Sequence, residues 1–333
     1  MIPRRLLGYA LATIAMAAGC TPLPPATPRV APPAKAVAET YVRGVYAYQS
    51  GNHDAALADL QAAIAANPQL IMPRMLLGAI FKQRSDYRAA AEQYEKLVQL
   101  DPYFAENHYN LGVSYQMIQR LRDAEKSYLN ALKLEPANFG ANMNLGLVYL
   151  TLGEVDKAVQ YTELAARLQP QSAEAMANLG AALDAKGDYP RAEQAYRKSL
   201  ELAPYQSGTL LNYANNLLAQ RKAAPALAVL EQAEKIEATA YVMKRKGDAL
   251  AMDGKLAEAL GQYEASLTKN AKYYAAMNET ANVLIQQYKA EMELDETKRD
   301  RALALWHESL QLQPNQPSVK AALQEWEKKM FSN

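Results

Sequence analysis

Histidine, cysteine and clustered carboxylates are the side chains that most often do chemistry, and in this chain they are scattered. His53, His108 and His307 lie far apart with no metal-ligand spacing between them, so they read as surface or groove residues rather than as a zinc or general-base site. Cys20 is the single cysteine in 333 residues, which excludes an internal disulfide and any metal site built from several thiolates. No nucleophile elbow, glycine-rich phosphate loop or His-Glu-x-x-His pattern occurs. Basic residues number 36 against 35 acidic ones, a formal charge of +1, so no basic field invites nucleic acid. No catalytic residue and no cofactor is expected. What recurs instead is carboxamide: Asn110, Asn144, Asn178 and Asn212 stand 34 residues apart. Each amide offers donors and an acceptor, and a row of them can hydrogen-bond an extended peptide backbone without reading its sequence.

The elements that must position these amides follow the same interval. Pro68, Pro102, Pro136, Pro170 and Pro204 are spaced by 34, with Gly44, Gly78, Gly112, Gly146 and Gly180 at one offset and Ala56, Ala90, Ala124, Ala158 and Ala192 at another. One unit has been copied and stacked. The small residues let two antiparallel helices approach closely, large residues between them fill the groove, and the proline stops the second helix. Pro73 falls at the start of a first helix, and Pro190 and Pro225 at the start of second helices, where proline is tolerated. Asp54, Asp123 and Asp156 lie near second-helix starts, where the helix dipole favours negative charge.

Set in register from Val37, Ile71, Ala105, Phe139 and Ala173, the units resemble the tetratricopeptide repeat. The third unit carries Leu111, Gly112, Tyr115, Ala124, Tyr128, Ala131 and Pro136 at that repeat's marked positions, and departs only at position 4, where it has His108. The resemblance implies an all-α fold, a right-handed α-solenoid of about eight helix pairs: 37–70, 71–104, 105–138, 139–172, 173–206, 207–239, 240–273 and 274–316, with a capping helix over 317–333. Repeats six and seven replace the final proline with Ala238 and Ala271. Repeat eight carries a charged, helix-prone insertion around Tyr288 to Arg301, which predicts two lengthened helices rather than a floppy loop.

In arrays of this family the first helices line a concave face, and the four asparagines fall at position 6 of successive repeats. They resemble the amide ladder in the repeats of the O-linked sugar transferase, although asparagine is common at this position in the repeat generally. Met72, Met75, Tyr109, Val113, Met143, Leu147 and Leu150 take neighbouring groove positions. A methionine-rich apolar groove suits an amphipathic helix or hydrophobic tail, or is filled by the protein itself. Lys244 and Arg245 face the groove in repeat seven, as a basic patch for a carboxylate-bearing peptide or anionic glycan, or as a solvated charge face beside Asp248. The basic residues of the chaperone-type carboxylate clamp do not occur at positions 5 and 6 of repeats one to six.

The chain's other end suggests where such a solenoid works. Arg4 and Arg5 precede an apolar run from Leu6 to Ala18, the shape of a secretory signal over 1–19 and too short for a membrane span. Ala17-Ala18-Gly19-Cys20 is similar to a bacterial lipobox, which implies cleavage before Cys20 and its acylation. Acyl chains, at roughly 0.8 kcal/mol per buried methylene, hold a protein on a membrane. Thr21 after the cysteine resembles cargo sorted to the outer membrane. Residues 20–36 hold Pro22, Pro24, Pro25, Pro28, Pro32 and Pro33, a tether reaching roughly 50 Å in polyproline II form.

Together these features predict a lipid-anchored, periplasm-facing scaffold that binds proteins or peptides and does no chemistry. In plan it is similar to outer-membrane repeat lipoproteins that help assemble type IV or Tad pili and secretin pores, and to those that gather peptidoglycan hydrolases and proteases. Self-association into a homo-oligomer is a further reading.

Overall fold

The structure is a computed structural model that describes residues 35–292 and 294–332. The predicted signal, the Cys20 lipobox and nearly all of the tether fall outside the described residues. Among the described residues there are 17 helices and no strand. They form two compact units, divided between Pro73 and Arg74.

The first unit contains α1 (Lys35–Gln49), α2 (His53–Ala66) and the opening residues of α3 (Ile71–Gln83). α1 packs on α2 where Gly44 meets the buried Leu60; a Cβ on Gly44 would stand 3.0 Å from the leucine side chain. The turn between them passes through Gly51 at φ 77°, and Asn52 caps α2 by accepting from the Ala55 N–H at 3.2 Å. A cap of this kind satisfies one donor that a helix start leaves open and contributes about 1 kcal/mol.

The second unit holds the rest of α3, then α4 (Tyr87–Leu100), α5 (Ala105–Met117), α6 (Leu121–Leu134), α7 (Phe139–Thr151), α8 (Val155–Leu168), α9 (Ala173–Lys186), α10 (Tyr189–Leu202), α11 (Ser207–Ala219), α12 (Ala223–Ile236), α13 (Ala240–Met252), α14 (Leu256–Lys269), α15 (Tyr274–Ala290), α16 (Glu296–Leu312) and α17 (Pro317–Ser332). From α5 onward an odd helix pairs with the even helix after it, and each pair packs on the next. α5, α7, α9, α11 and α13 also touch one another in succession. These first helices therefore line a continuous inner face of the unit, as expected of a solenoid.

The small residues show why the pairs close. Ala90, Ala124, Ala158, Ala192, Ala226, Ala259 and Ala302, one from each even helix α4 to α16, are fully buried. Against Gly78, Gly112, Gly180 and Gly247 lie Tyr94, Tyr128, Tyr196 and Tyr263, each ring seated where a glycine Cβ would be. Thr162 replaces the tyrosine opposite Gly146. Burying such a ring stabilises the pair by about 1.5–3 kcal/mol. Tyrosine hydroxyls then tie neighbouring repeats: Tyr115 donates to Glu95 at 2.7 Å and Tyr149 to Glu125 at 3.0 Å. Burial and the Glu95 carboxylate push the Tyr115 phenol up to about 12. Serines fasten the far ends of the pairs, Ser199 donating to the Ala173 carbonyl and Ser266 to that of Ala240, both at 2.7 Å.

Two endings differ from the simple repeat. α12 and α14 stop at Ile236 and Lys269 without a proline, each followed by an extended residue, Glu237 and Asn270. α15 and α16 each run 17 residues, and α17 closes on them through a core of Tyr288, Trp306, Leu323 and Trp326.

Candidate functional site

The inner face of the second unit places Asn110, Asn144, Asn178 and Asn212 on α5, α7, α9 and α11, one per first helix. Their surroundings differ. Asn110 is only 8% exposed; its Nδ2 donates to Glu106 Oε1 at 3.0 Å, and its Oδ1 accepts from Lys82 Nζ. Burial holds the Lys82 ammonium below its usual value, with Glu106 opposing that shift. Asn144 is half-buried beside the hydroxyls of Tyr109 and Tyr128. Burial raises the Tyr109 phenol, and the Glu106 charge adds to it. Tyr109 gains its place because Gly140 has no side chain: a Cβ there would lie 2.8 Å from the hydroxyl.

The remaining two amides are not engaged in this way. Asn178 is half-buried and its Nδ2 has no partner, while Asn212 is exposed. A buried donor left unpaired costs about 1–3 kcal/mol, and an incoming carbonyl oxygen would recover part of that. Along the face, then, the first two amides lie against groups of the preceding repeat, the third holds a buried, unpaired donor and the fourth is exposed. Met75, Tyr109, Val113, Met143, Leu147 and Leu150 are half-buried around them, an apolar floor with partly uncovered side chains. Met72 belongs to the first unit, where it is 37% exposed.

Lys244 and Arg245 lie on α13 with their charges already engaged. Lys244 Nζ stands 2.9 Å from Asp248 Oδ2 and Arg245 Nη1 3.1 Å from the same oxygen, and the Lys244 side chain is 13% exposed. Arg245 also lies over the Tyr241 ring, 5.4 Å from its centre. The two cations thus share one carboxylate and are partly packed against the protein rather than standing on a fully solvated face. Sequence reasoning did not single out the partners that complete this part of the inner face. Asn215 Nδ2 donates to the Tyr241 hydroxyl at 3.0 Å, which in turn accepts from Arg245. Asp184 accepts from the Tyr196 hydroxyl at 2.9 Å and from Asn216, and burial raises its carboxyl. Asn215 and Tyr241 occupy groove positions of their repeats, so the same register that found the asparagines could have found them.

The histidines do not converge. His108 is buried, filling the position-4 slot of its repeat with a ring nitrogen 2.9 Å from the Pro102 carbonyl, and so is neither a surface nor an open groove residue. His307 pairs with Glu327 at 3.1 Å and His53 stacks on Tyr48. Among the described residues no group of three metal-ligating side chains forms, and no helix is long and apolar enough to cross a membrane.

Comparison with known proteins agrees with this geometry. Tetratricopeptide-repeat family models match residues 78–119, 109–173 and 173–205. Among solved structures, the Cut9 and Hcn1 hetero-tetramer of the APC/C is similar at a TM-score of 0.58 and 17% identity, over 81% of this chain and 52% of that one. PilF of Pseudomonas aeruginosa is similar at a TM-score of 0.51 and 22% identity, over 61% of this chain and 92% of that one. A MamA protein is 27% identical over 52% of this chain and 94% of that one, at a TM-score of 0.48. The first two likenesses establish the fold as an all-α repeat solenoid. No curated protein sequence matches.

Proposed function

We propose that this chain, whose residues 78–205 match tetratricopeptide-repeat family models, is a non-catalytic scaffold that holds protein partners on the inner face of its second unit. The observation that carries this is the unpaired, buried Nδ2 of Asn178 and the exposed Asn212, beside a partly uncovered apolar floor. An extended segment laid along α9 and α11 would give backbone carbonyls to these donors and apolar side chains to Leu147, Leu150 and their neighbours.

The same proposal puts the scaffold on the periplasmic side of a bacterial outer membrane, held by acyl groups on Cys20. Its support is the lipobox-like Ala17-Ala18-Gly19-Cys20, the Thr21 that follows and the proline-rich tether. The task we assign is assembly of an envelope machine, such as a type IV or Tad pilus or its secretin, on the strength of the similarity in plan to lipoproteins of that kind. Crosslinked affinity capture from the native envelope tests it. Recovery of pilus or secretin subunits is the expected result. Recovery of peptidoglycan hydrolases instead would overturn the assembly role, and recovery of the chain alone would overturn the scaffold itself.

A further inference from the structure

Charge is unevenly spread along the inner face of the second unit. Apart from the buried His108, the titratable acids and bases of α5, α7, α9 and α11 are Glu106, Glu174, Asp184 and Lys186, tyrosines aside. Lys186 is matched by Asp156 at 2.9 Å. Glu106 holds the Asn110 amide at 3.0 Å and stands near Lys82, and Asp184 accepts from Tyr196 and Asn216. Glu174 alone of these is exposed with neither a salt bridge nor a hydrogen bond among the described residues. It lies one helical turn before Asn178, whose Nδ2 is also unpaired, so a free charge and a free donor share one stripe of α9.

Two repeats further on, the sign reverses. On α13, Lys246 is matched by Glu234 at 2.7 Å, but Lys244 and Arg245 share the single Asp248 Oδ2. The other oxygen of Asp248 takes the Tyr263 hydroxyl at 3.1 Å. Two cations against one carboxylate leave a positive excess. Arg245 is the more accessible of the two, its side chain 30% exposed. Its Nε and Nη1 are used by Tyr241 and Asp248, and its Nη2 has no partner.

We infer that the inner face binds an extended partner segment of bipolar charge, with a lysine or arginine on Glu174 and, six residues away, an aspartate or glutamate on Arg245. The spacing follows from the fold. α9, α11 and α13 touch in succession, and helices in contact lie about 8–10 Å apart. Two such steps span about 16–20 Å, which an extended chain at about 3.3 Å per residue crosses in five or six residues. Only an even separation puts both side chains on one face, which selects six. Between the charges lies α11, with Leu211 half-buried and Asn212 exposed, so apolar residues suit the intervening inward positions. The inference rests on the inner face being the partner site and adds the charge pattern that the site selects.

The experiment titrates the purified protein by isothermal calorimetry at low salt with acetyl-Lys-Ser-Leu-Ser-Leu-Ser-Glu-amide, whose charges and leucines share one face. One control peptide has glutamine in both charged places, and another lacks one serine, so that its charges point to opposite faces. The bipolar peptide should bind at least threefold more tightly than either control, an advantage that shrinks with added salt. Glu174→Gln, at an exposed side chain without a partner, should raise its Kd at least threefold and leave that of the neutral peptide unchanged. Arg245→Gln should do the same. The inference is overturned if the bipolar peptide does not bind, if a control binds equally well, or if Glu174→Gln leaves the Kd unaltered. The inner-face reading itself falls only if Asn178→Ala/Asn212→Ala binds the envelope partner as the wild type does.

Discussion

Substituting Gly112 with alanine should destabilise the protein, although the same change at Gly261 should stabilise it. Both glycines lie inside helices, and in an exposed helix interior alanine is better than glycine by about 0.5–1 kcal/mol. At Gly261 nothing lies within 4 Å of the new Cβ, so that gain is expected in full. At Gly112 the Cβ would stand 2.6 Å from Cδ1 and Cε1 of Tyr128, a ring that is fully buried. The ring cannot swing aside freely, because its hydroxyl donates to Gln116 at 2.7 Å. Overpacking costs about 1–3 kcal/mol, and losing the hydroxyl's bond adds about 1 kcal/mol. After subtracting the helix-propensity gain, the net loss is about 1–3 kcal/mol. Urea and thermal unfolding followed by far-ultraviolet circular dichroism read the two midpoints, which should move in opposite directions. Repeat arrays can unfold region by region, so the order of midpoints is the quantity to compare. Adding Tyr128→Leu to Gly112→Ala should recover part of the loss, a coupling of about 0.5–3 kcal/mol. If Gly112→Ala raised the midpoint as Gly261→Ala does, close helix approach under Tyr128 would not be what closes the pair.

Asn107 is fully buried and neither atom of its amide has a partner, whereas Ala141, Ala175 and Ala276 take the equivalent place in other repeats and are fully or almost fully buried. Asn107→Ala should therefore be neutral or stabilising by up to about 1–3 kcal/mol; a clear drop in urea midpoint would mean that the amide has a bridging water. Cys20→Ser should move the protein from the membrane pellet to the soluble fraction after a salt wash, and its retention there would contradict the lipid anchor.

Much of the helix pairing is legible in the spacing alone, because the fully buried alanines and the glycines beneath tyrosines follow one interval. The turns within repeats are less so. Gly51, Gly153, Gly187 and Gly254 have positive φ as glycine readily does, yet Ser85, Gln119 and Arg221 adopt φ of 59–62° at the equivalent turns. There the closing of the helix pair imposes a conformation that costs a residue with a Cβ roughly 1–2 kcal/mol, and no local sequence signal announces it. The endings of α12 and α14 are similar, since helices stop without the proline that marks the others. The candidate site divides in the same way. Register alone places all four asparagines on first helices, but their surroundings depend on the preceding repeat: Lys82 engages Asn110, and Tyr109 lies beside Asn144.

The direct test of the scaffold is partner affinity after removal of the Asn178 and Asn212 amides. The partner recovered from the envelope is titrated against the wild-type protein and against Asn178→Ala/Asn212→Ala, with helicity checked by circular dichroism. Asn178 Nδ2 has no partner in the protein and Asn212 is exposed, so the fold should persist. Affinity should fall by about five- to 150-fold, from two hydrogen bonds of about 0.5–1.5 kcal/mol each. Unchanged affinity with intact helicity would contradict binding through the inner face.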